Sequence, residues 1–315
     1  MEQSFEVDLV YLWVNGNDPE WRRKHNAVIG NTREDCLENC EGRYADNEEL
    51  RFSLRAVEMY APWIRKIFIV TDNQVPGWLD VSNPRIEIVD HTEILPPEAL
   101  PTFNSVVLEH ALHKIPGLGE RFLYSNDDMF FNRAVQPTDF FAPDGLPIVR
   151  MVRRPLPKLG IWARRHILGR VPDNYNLTIQ RASRLVESRY GKYIGHKPHH
   201  NIDAYLKSDY IHTFETFRQE LEPTLRNHVR SDNDIQRVIY SYVPLAEKRA
   251  HAVFVDQHTS FRLHTHRLHH YDRLRRYNPM LCCLNDSQYA TDAHRLRVRE
   301  YMEERFSQPS SFEKV

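Results

Sequence analysis

Residues 120–135, ERFLYSNDDMFFNRAV, place two adjacent carboxylates, Asp127 and Asp128, between the apolar runs 122–124 and 129–131. An ionised carboxylate is costly to bury unless a cation meets it. The pair is therefore either a solvated turn after a strand or a set of hard oxygen ligands for Mg²⁺ or Mn²⁺. A second reactive group is HKPHHNID (196–203), with His196, His199 and His200, and Asp203 four residues after His199. Histidines at this spacing can bind zinc. No cysteine or third clustered acid completes a tetrahedral set beside them, so general acid–base chemistry near neutral pH fits better. Surface histidines are the bland alternative in a chain with 17 of them. Arg230, in VRSDNDIQ, either grips phosphate oxygens with its planar fork or pairs with Asp232 or Asp234. Asp8 sits inside an apolar stretch and needs a partner unless it faces water. Trp13 is a stacking surface or a core residue. Glu109 is either an exposed helical acid or, crowded by Val106, Val107, Leu108 and Leu112, part of a site.

These groups need elements to position them. VDLVYLWVN (7–15) reads as a strand ending at Asn15-Gly16-Asn17-Asp18-Pro19. Residues 46–63 read as a helix capped by Asp46 or Asn47, with Leu50, Leu54 and Val57 at helical spacing and Pro62 after it. Strands are expected at 65–73 and 85–91, a helix at 102–115 closed by Pro116-Gly117, and a fourth strand at RFLYSNDD. This rhythm predicts an α/β, Rossmann-like, mostly parallel sheet with helical C-terminal additions. Ligands of such sheets sit beyond the carboxyl ends of the strands. Asp18, Asp72 and Asp127–Asp128 all follow such ends. The second half is less regular: helix at 181–194, a His-rich turn leading into a helix over 195–210, and two helices over 214–243 broken near Pro223. The expected organisation is a nucleotide-sugar-binding core (1–150), a basic connecting segment (151–195) and a mainly helical part completing the site (196–315), integrated as one catalytic domain.

Composition narrows the classes. A chain of 315 residues can bury a sizeable core, and its net charge of −1 does not point to nucleic acid or membrane. No apolar run approaches the ~18 residues of a membrane span, and the N-terminus lacks a secretory pattern. Cys36, Cys40, Cys282 and Cys283 form no zinc or redox signature. A reduced, cytoplasmic setting is expected, at the inner face of a membrane if the acceptor is there. Residues 150–170 hold seven Arg or Lys and no acid, a solvated face or a docking site for an anionic acceptor. No nucleic-acid motif accompanies them.

Four stretches, in order, resemble the sequence blocks of the Stealth family of hexose-1-phosphate transferases. They are VDLVYLWVNGNDPEW; DNEELRFSLRAVEMYAPWIRKIFIVTDNQVPGWLD with its continuation to FNRAVQPTDFF; HKPHHNID with NHVRSDNDIQRVIYSY; and LCCLNDSQYATDAHRLRVREYMEERFSQPSSFE. They cover well over half the chain. The family includes bacterial capsular-polysaccharide phosphotransferases and the catalytic subunit of the animal N-acetylglucosamine-1-phosphotransferase. Without the animal enzyme's large insertions and anchors, this chain resembles a minimal bacterial form. The resemblance implies that a UDP-sugar, such as UDP-N-acetylglucosamine, gives sugar-1-phosphate to an acceptor hydroxyl, releasing UMP. With Asp203, one helical turn on, placed to orient His199, the resemblance implies catalytic roles for Asp128, Glu109, His199 and Arg230. It puts Asp8, Trp13, Asn15, Arg51 and Asn104 at the donor, with Asp18 close by, and makes Asp127, Asp128 and Asp286 the metal ligands.

The partners then expected are a UDP-sugar donor and a saccharide or anionic polysaccharide acceptor. Two other classes share part of the sequence signal. A metal-dependent UDP-sugar glycosyltransferase, releasing UDP, uses a similar acidic motif. A non-catalytic binder of anionic polymers is favoured only by the basic run and predicts that Asp128 and Glu109 are dispensable.

Overall fold

Strand β1 (Val7–Leu12) is buried at every position but the last because both faces of its sheet are covered. The computed structural model describes residues 6–29, 48–154, 158, 167, 174–286 and 289–314. After β1 come helices α1 (Pro19–Ile29) and α2 (Glu49–Tyr60), strands β2 (Ile64–Thr71) and β3 (Ile86–Asp90), helices α3 (His91–Ile94) and α4 (Ser105–Ala111), and strand β4 (Arg121–Asn126). Strands β1 to β4 are parallel in the order β3-β2-β1-β4, and β8 (Asp203–Leu206) closes the sheet antiparallel to β4. The α/β, mostly parallel architecture is the one the sequence predicts.

Side-chain alternation along β1 builds two core layers. Leu9 and Tyr11 pack with Leu50, Leu54 and Val57 of α2. Val10 points the other way, into a layer with Val107 and Tyr124. Both cap candidates of α2, Asp46 and Asn47, lie outside the described residues; its cap position is Glu48, in the left-handed region at φ 64° with no side-chain cap bond. Helix α4 is capped by the Asn104 side chain, which accepts from the Val106 N–H at 3.1 Å. It tightens into a 3-10 turn over Leu112–Lys114, so the predicted 102–115 helix is shorter.

The acidic turn is a corner between two sheets. Strand β5 (Met129–Phe131) leaves the main sheet and pairs antiparallel with β11 (Leu281–Asn285), which runs parallel to β10 (Ser260–His264). The apolar run around Asp127 and Asp128 is thus two strands in two cores. A third sheet joins β6 (Ile148–Val152), β7 (Lys197–Pro198) and β9 (His251–Phe254).

The second half departs from expectation in detail. Helix α5 spans Asn174–Tyr190. Residues 195–210 contain β7 and β8 before helix α6 (Lys207–Thr216), because Ala204 and Tyr205 complete the main sheet edge. Pro223 does not break a helix: it lies inside α7 (Arg218–Leu225), where it forfeits one backbone bond, and the break falls at Phe217. Helices α8 (Ile239–Ala246), α9 (Leu268–Tyr277) and α10 (Asp292–Arg305) follow.

Cys36 and Cys40 lie outside the described residues; Cys282 and Cys283 are free, buried thiols. Most of the basic run also lies outside them. Of its described part, Arg150 is buried against Phe140, Arg153 covers the Phe254 ring at 4.3 Å, and Lys158 pairs with Glu187. Among the described residues, no helix is long and apolar enough to cross a membrane.

Candidate active site

The parallel strands β1 and β4 end at one edge of the sheet, and two cavities open there. The first, about 340 Å³, is lined by the aromatic residues Trp13, Trp21 and Phe103 and by the acids Asp127, Asp128 and Asp286. Trp21 stacks on His25 (4.9 Å between centroids) and meets Phe103 edge-on at 5.3 Å, which makes a rigid aromatic wall. The second, about 360 Å³, is lined by Glu109, His199, Asp203, Arg237, Lys197 and Arg262. The two share Ser105, Asn126, His200, Arg230 and Asn285, so they meet along a wall made by those residues.

Asp128 is held by the sheet corner: its carbonyl accepts from the Leu284 N–H at 2.8 Å. One carboxylate oxygen accepts weakly from the Cys283 thiol at 3.4 Å; the other, Oδ1, is buried with no hydrogen-bond partner among the described residues. Burial pushes this carboxyl up to about 6, against the pull of the Cys283 hydrogen bond and the Arg262 charge. Asp127 lines the same cavity, and its side chain accepts from the Asp128 N–H at 3.1 Å. Asp286 follows β11 and binds Arg295 at 2.9 Å and Thr265 at 3.4 Å.

Glu109 is buried, not exposed. It accepts from the Tyr124 hydroxyl at 3.0 Å and lies 3.6 Å from Arg237. Burial raises its carboxyl above the ordinary range, and Arg237 and Tyr124 only partly offset this. Arg237 also binds Asp203 at 2.9 Å and lies 4.2 Å from the Tyr124 ring centroid. Burial acts to raise Asp203 too, but the Arg237 charge and His199 hold it below the carboxylate range. Two neighbouring acids are thus pushed apart, one toward the proton-carrying form and one toward the charged form.

His199 is buried, with Nε2 3.1 Å from Asp203 Oδ1 and Nδ1 3.1 Å from Ser260 Oγ. Asp203 reaches it from the start of β8, across a turn rather than along a helix. His196 sits apart, where Nδ1 accepts from the Arg154 N–H and the ring abuts Phe254. His200 faces the junction, and burial followed by the Arg262 charge drives its imidazolium pKa down to about 3. Arg230 is exposed and donates to Ser105 Oγ at 2.8 Å.

The expected donor residues divide. Trp13 lines the first cavity with Val14; Asn15, two residues after Trp13, is not among its lining residues, and its N–H donates to Gln74 at 2.9 Å. Asp18 caps the start of α1 and accepts from Gln74 at 2.9 Å. Asn104 lines neither cavity; its side chain donates to Asp234 at 2.9 Å and to the Val229 carbonyl at 3.4 Å, and so fixes the loop that carries Arg230. Arg51 is tied to Glu313 at 2.6 Å, and Asp8 to Arg65 at the other end of the sheet; neither lines a cavity described above. Trp21, Phe103, Arg237 and Cys283 lie inside the family-like blocks but are given no role by the sequence reading, and Arg262 lies outside those blocks.

The sequence matches the description "Stealth protein CR1, conserved region 1" over residues 5–33 and "Stealth protein CR2, conserved region 2" over residues 43–149. It is 31% identical to the capsular polysaccharide phosphotransferase SacB of Neisseria meningitidis serogroup A over 99% of this chain and 58% of that protein. It is 34% identical to the exopolysaccharide phosphotransferase CpsY of Mycobacterium tuberculosis over the same shares. The capsular polysaccharide phosphotransferase fcs1 of Haemophilus influenzae matches at 34% over 78% of this chain and 66% of its own length. The chain therefore spans less than two thirds of these relatives. A solved galactosyltransferase, LgtC, is a remote structural likeness, with a TM-score of 0.47 and 10% identity over 96% of each chain, too weak to bear on chemistry. With two conserved regions in order and relatives aligned along nearly all its length, the chain belongs to the Stealth family.

Proposed function

We propose that the protein transfers hexose-1-phosphate, of the N-acetylhexosamine class, from a UDP-sugar to a saccharide hydroxyl, forming a phosphodiester and releasing UMP. The observation that carries this reading is the shared wall: an aromatic, acid-tipped cavity meets a cation-rich one at Arg230 and His200. The nucleoside occupies the aromatic cavity against Trp13, Trp21 and Phe103, and the diphosphate extends toward the junction. The relatives' names as capsular and exopolysaccharide phosphotransferases support the reaction class.

A divalent cation would be held at Asp128, whose buried Oδ1 lacks a partner among the described residues, with Asp127 and Asp286 in the same cavity. Once bound, it offsets the diphosphate charge. Arg230 and Arg262 hold phosphoryl oxygens. An ionised Asp203 accepts from His199 Nε2–H, which leaves Nδ1 as the basic nitrogen. An acceptor hydroxyl that displaces Ser260 Oγ there gives its proton to His199. The acceptor, a saccharide or anionic polysaccharide, enters through the cavity carrying Lys197 and Arg262.

Attack at the sugar-proximal phosphorus keeps negative charge on phosphoryl oxygens and calls for surrounding cations, as Arg230 and Arg262 supply. The rival, glycosyl transfer, would want a carboxylate at the anomeric carbon, and Glu109 is the carboxylate for that role. A UDP-hexosamine labelled in its sugar-proximal phosphate decides between them. Label in the product with UMP release is expected; UDP release with unlabelled product would establish the rival.

A further inference from the structure

We propose that Asp128, His200 and Cys283 form a three-ligand site for a borderline divalent cation of the zinc or cobalt type, open on its fourth side to the aromatic cavity. A carboxylate oxygen, a ring nitrogen and the cysteine sulfur lie within 4.8 Å of one another. A tetrahedral ion with Zn–S near 2.3 Å and Zn–N and Zn–O near 2.0–2.1 Å holds these three ligand atoms roughly 3.3–3.6 Å apart. The set closes on an ion by side-chain adjustment of about 1 Å. Histidine pairs near 196–200 fail as a zinc site in sequence because no cysteine adjoins them. Folding brings one: Cys283 faces Met129 across the β11–β5 ladder, one residue past Asp128.

The site is built rather than incidental. Backbone pairing fixes Asp128 and Cys283 relative to each other, through the β11–β5 ladder and the Leu284 N–H donating to the Asp128 carbonyl. Cys283 is fully buried beneath, and Asp128 and His200 face the cavity. Asp128 Oδ1 is a buried acceptor with no hydrogen-bond partner among the described residues. Three protein ligands and one open position is the arrangement of a catalytic rather than a structural zinc. On binding, the Cys283 thiol loses its proton to solvent, so one carboxylate and one thiolate balance the dication. That neutrality lets the site tolerate Arg262, whose charge reaches Asp128, His200 and Cys283.

Sulfur and imidazole donors favour zinc and cobalt, whereas Mg²⁺ demands near-octahedral oxygen. The donor set therefore disagrees with the Mg²⁺ expected from the sequence. The inference rests on the transferase reading only for what the bound ion does; the ligand set stands without it.

The test is a Co²⁺ titration of the full chain after chelation. A saturable near-ultraviolet thiolate-to-cobalt band is expected, with visible bands of a four-coordinate ion. Cys283→Ser and Cys283→Ala should lose the near-ultraviolet band while far-ultraviolet dichroism is kept, and Cys282→Ser should retain it. His200→Gln should weaken Co²⁺ binding at least tenfold. Equimolar Zn²⁺ should displace the cobalt, and excess Mg²⁺ should not. No sulfur band in the wild type, a band surviving both Cys283 variants, or bleaching by Mg²⁺ would overturn the proposal. UMP release is scored separately. Turnover in Mg²⁺ alone without a cobalt band sinks the metal site and spares the transferase; a cobalt band without UMP release does the reverse.

Discussion

Asp8 and Asp128 are both acids at the main sheet, at its opposite ends, and the chain treats them in opposite ways. Asp8, fully buried in β1, receives Arg65 through two bonds of 2.9 and 2.6 Å and the Gly119 N–H at 2.7 Å. The fit is tight enough that a Cβ on Gly119 would lie 3.0 Å from the Asp8 carboxylate. Asp128 has a thiol at 3.4 Å and an oxygen with no hydrogen-bond partner among the described residues. A buried acid whose lone pairs are filled by protein holds the fold; one left short is arranged for a ligand.

The largest effect should come at the unsatisfied end. Asp128→Asn should reduce sugar-1-phosphate transfer to background, with the urea midpoint no lower than wild type, because the amide removes a charge that burial disfavours. Residual turnover near wild type would erase the contrast with Asp8.

Next is the network behind the site. Arg237→Met leaves Glu109 and Asp203 buried without their shared cation, and breaking such a pair costs roughly 3–5 kcal/mol. Chemical denaturation should show that loss. A stability change below ~1 kcal/mol would mean that the two acids are adequately served by Tyr124 and His199.

Glu313 is a second paired acid, and pH separates it from the site. Burial works to raise its carboxyl, but hydrogen bonds from Arg55, the Ser310 N–H and Arg51 hold it at about 2, below its ordinary 4.5. A depressed carboxyl stabilises the fold above its unfolded pKa. That contribution, roughly 3 kcal/mol, is lost as pH falls from 4.5 through 2. Glu313→Gln should lower stability at pH 7 and flatten this acid limb, as read from denaturation midpoints across the window. An unchanged limb would refute the assignment.

The smallest effect is expected at Asp8. Because the Arg65 side chain is 40% exposed, Asp8→Asn should cost roughly 2–3 kcal/mol, less than a fully buried pair, and leave UDP-sugar affinity unchanged in calorimetry. A loss of donor affinity with intact stability would return Asp8 to the donor site that the sequence resemblance suggests for it.

Much of the frame was legible because its signals are local. The apolar strands, the helix carrying Leu50, Leu54 and Val57, and the turn after Tyr124 depend on periodicity and on polar residues that end strands, so β1, β2, β3, β4 and α2 lie close to where the sequence puts them. Asp128, Asp127, Asp286, Trp13, Glu109, His199 and Arg230 were all visible as residue types, and all of them line the paired cavities. What their sequence neighbours did not reveal was partnership. Asp8 and Arg51 look like candidate site acid and base alike until Arg65 and Glu313, 57 and 262 residues away, are seen to occupy them.

Short-range order, then, was determined by the sequence itself: strand, turn and helix form where neighbouring side chains demand them. Which buried charge is satisfied was decided only by the tertiary structure. Arg237 reaches Asp203 across 34 positions and Cys283 reaches Asp128 across 155, and no local pattern encodes either distance. The cost of burying a charge depends on what lies within a few ångströms in space, and the chain sets those distances only when β4, β5, β8 and β11 come together.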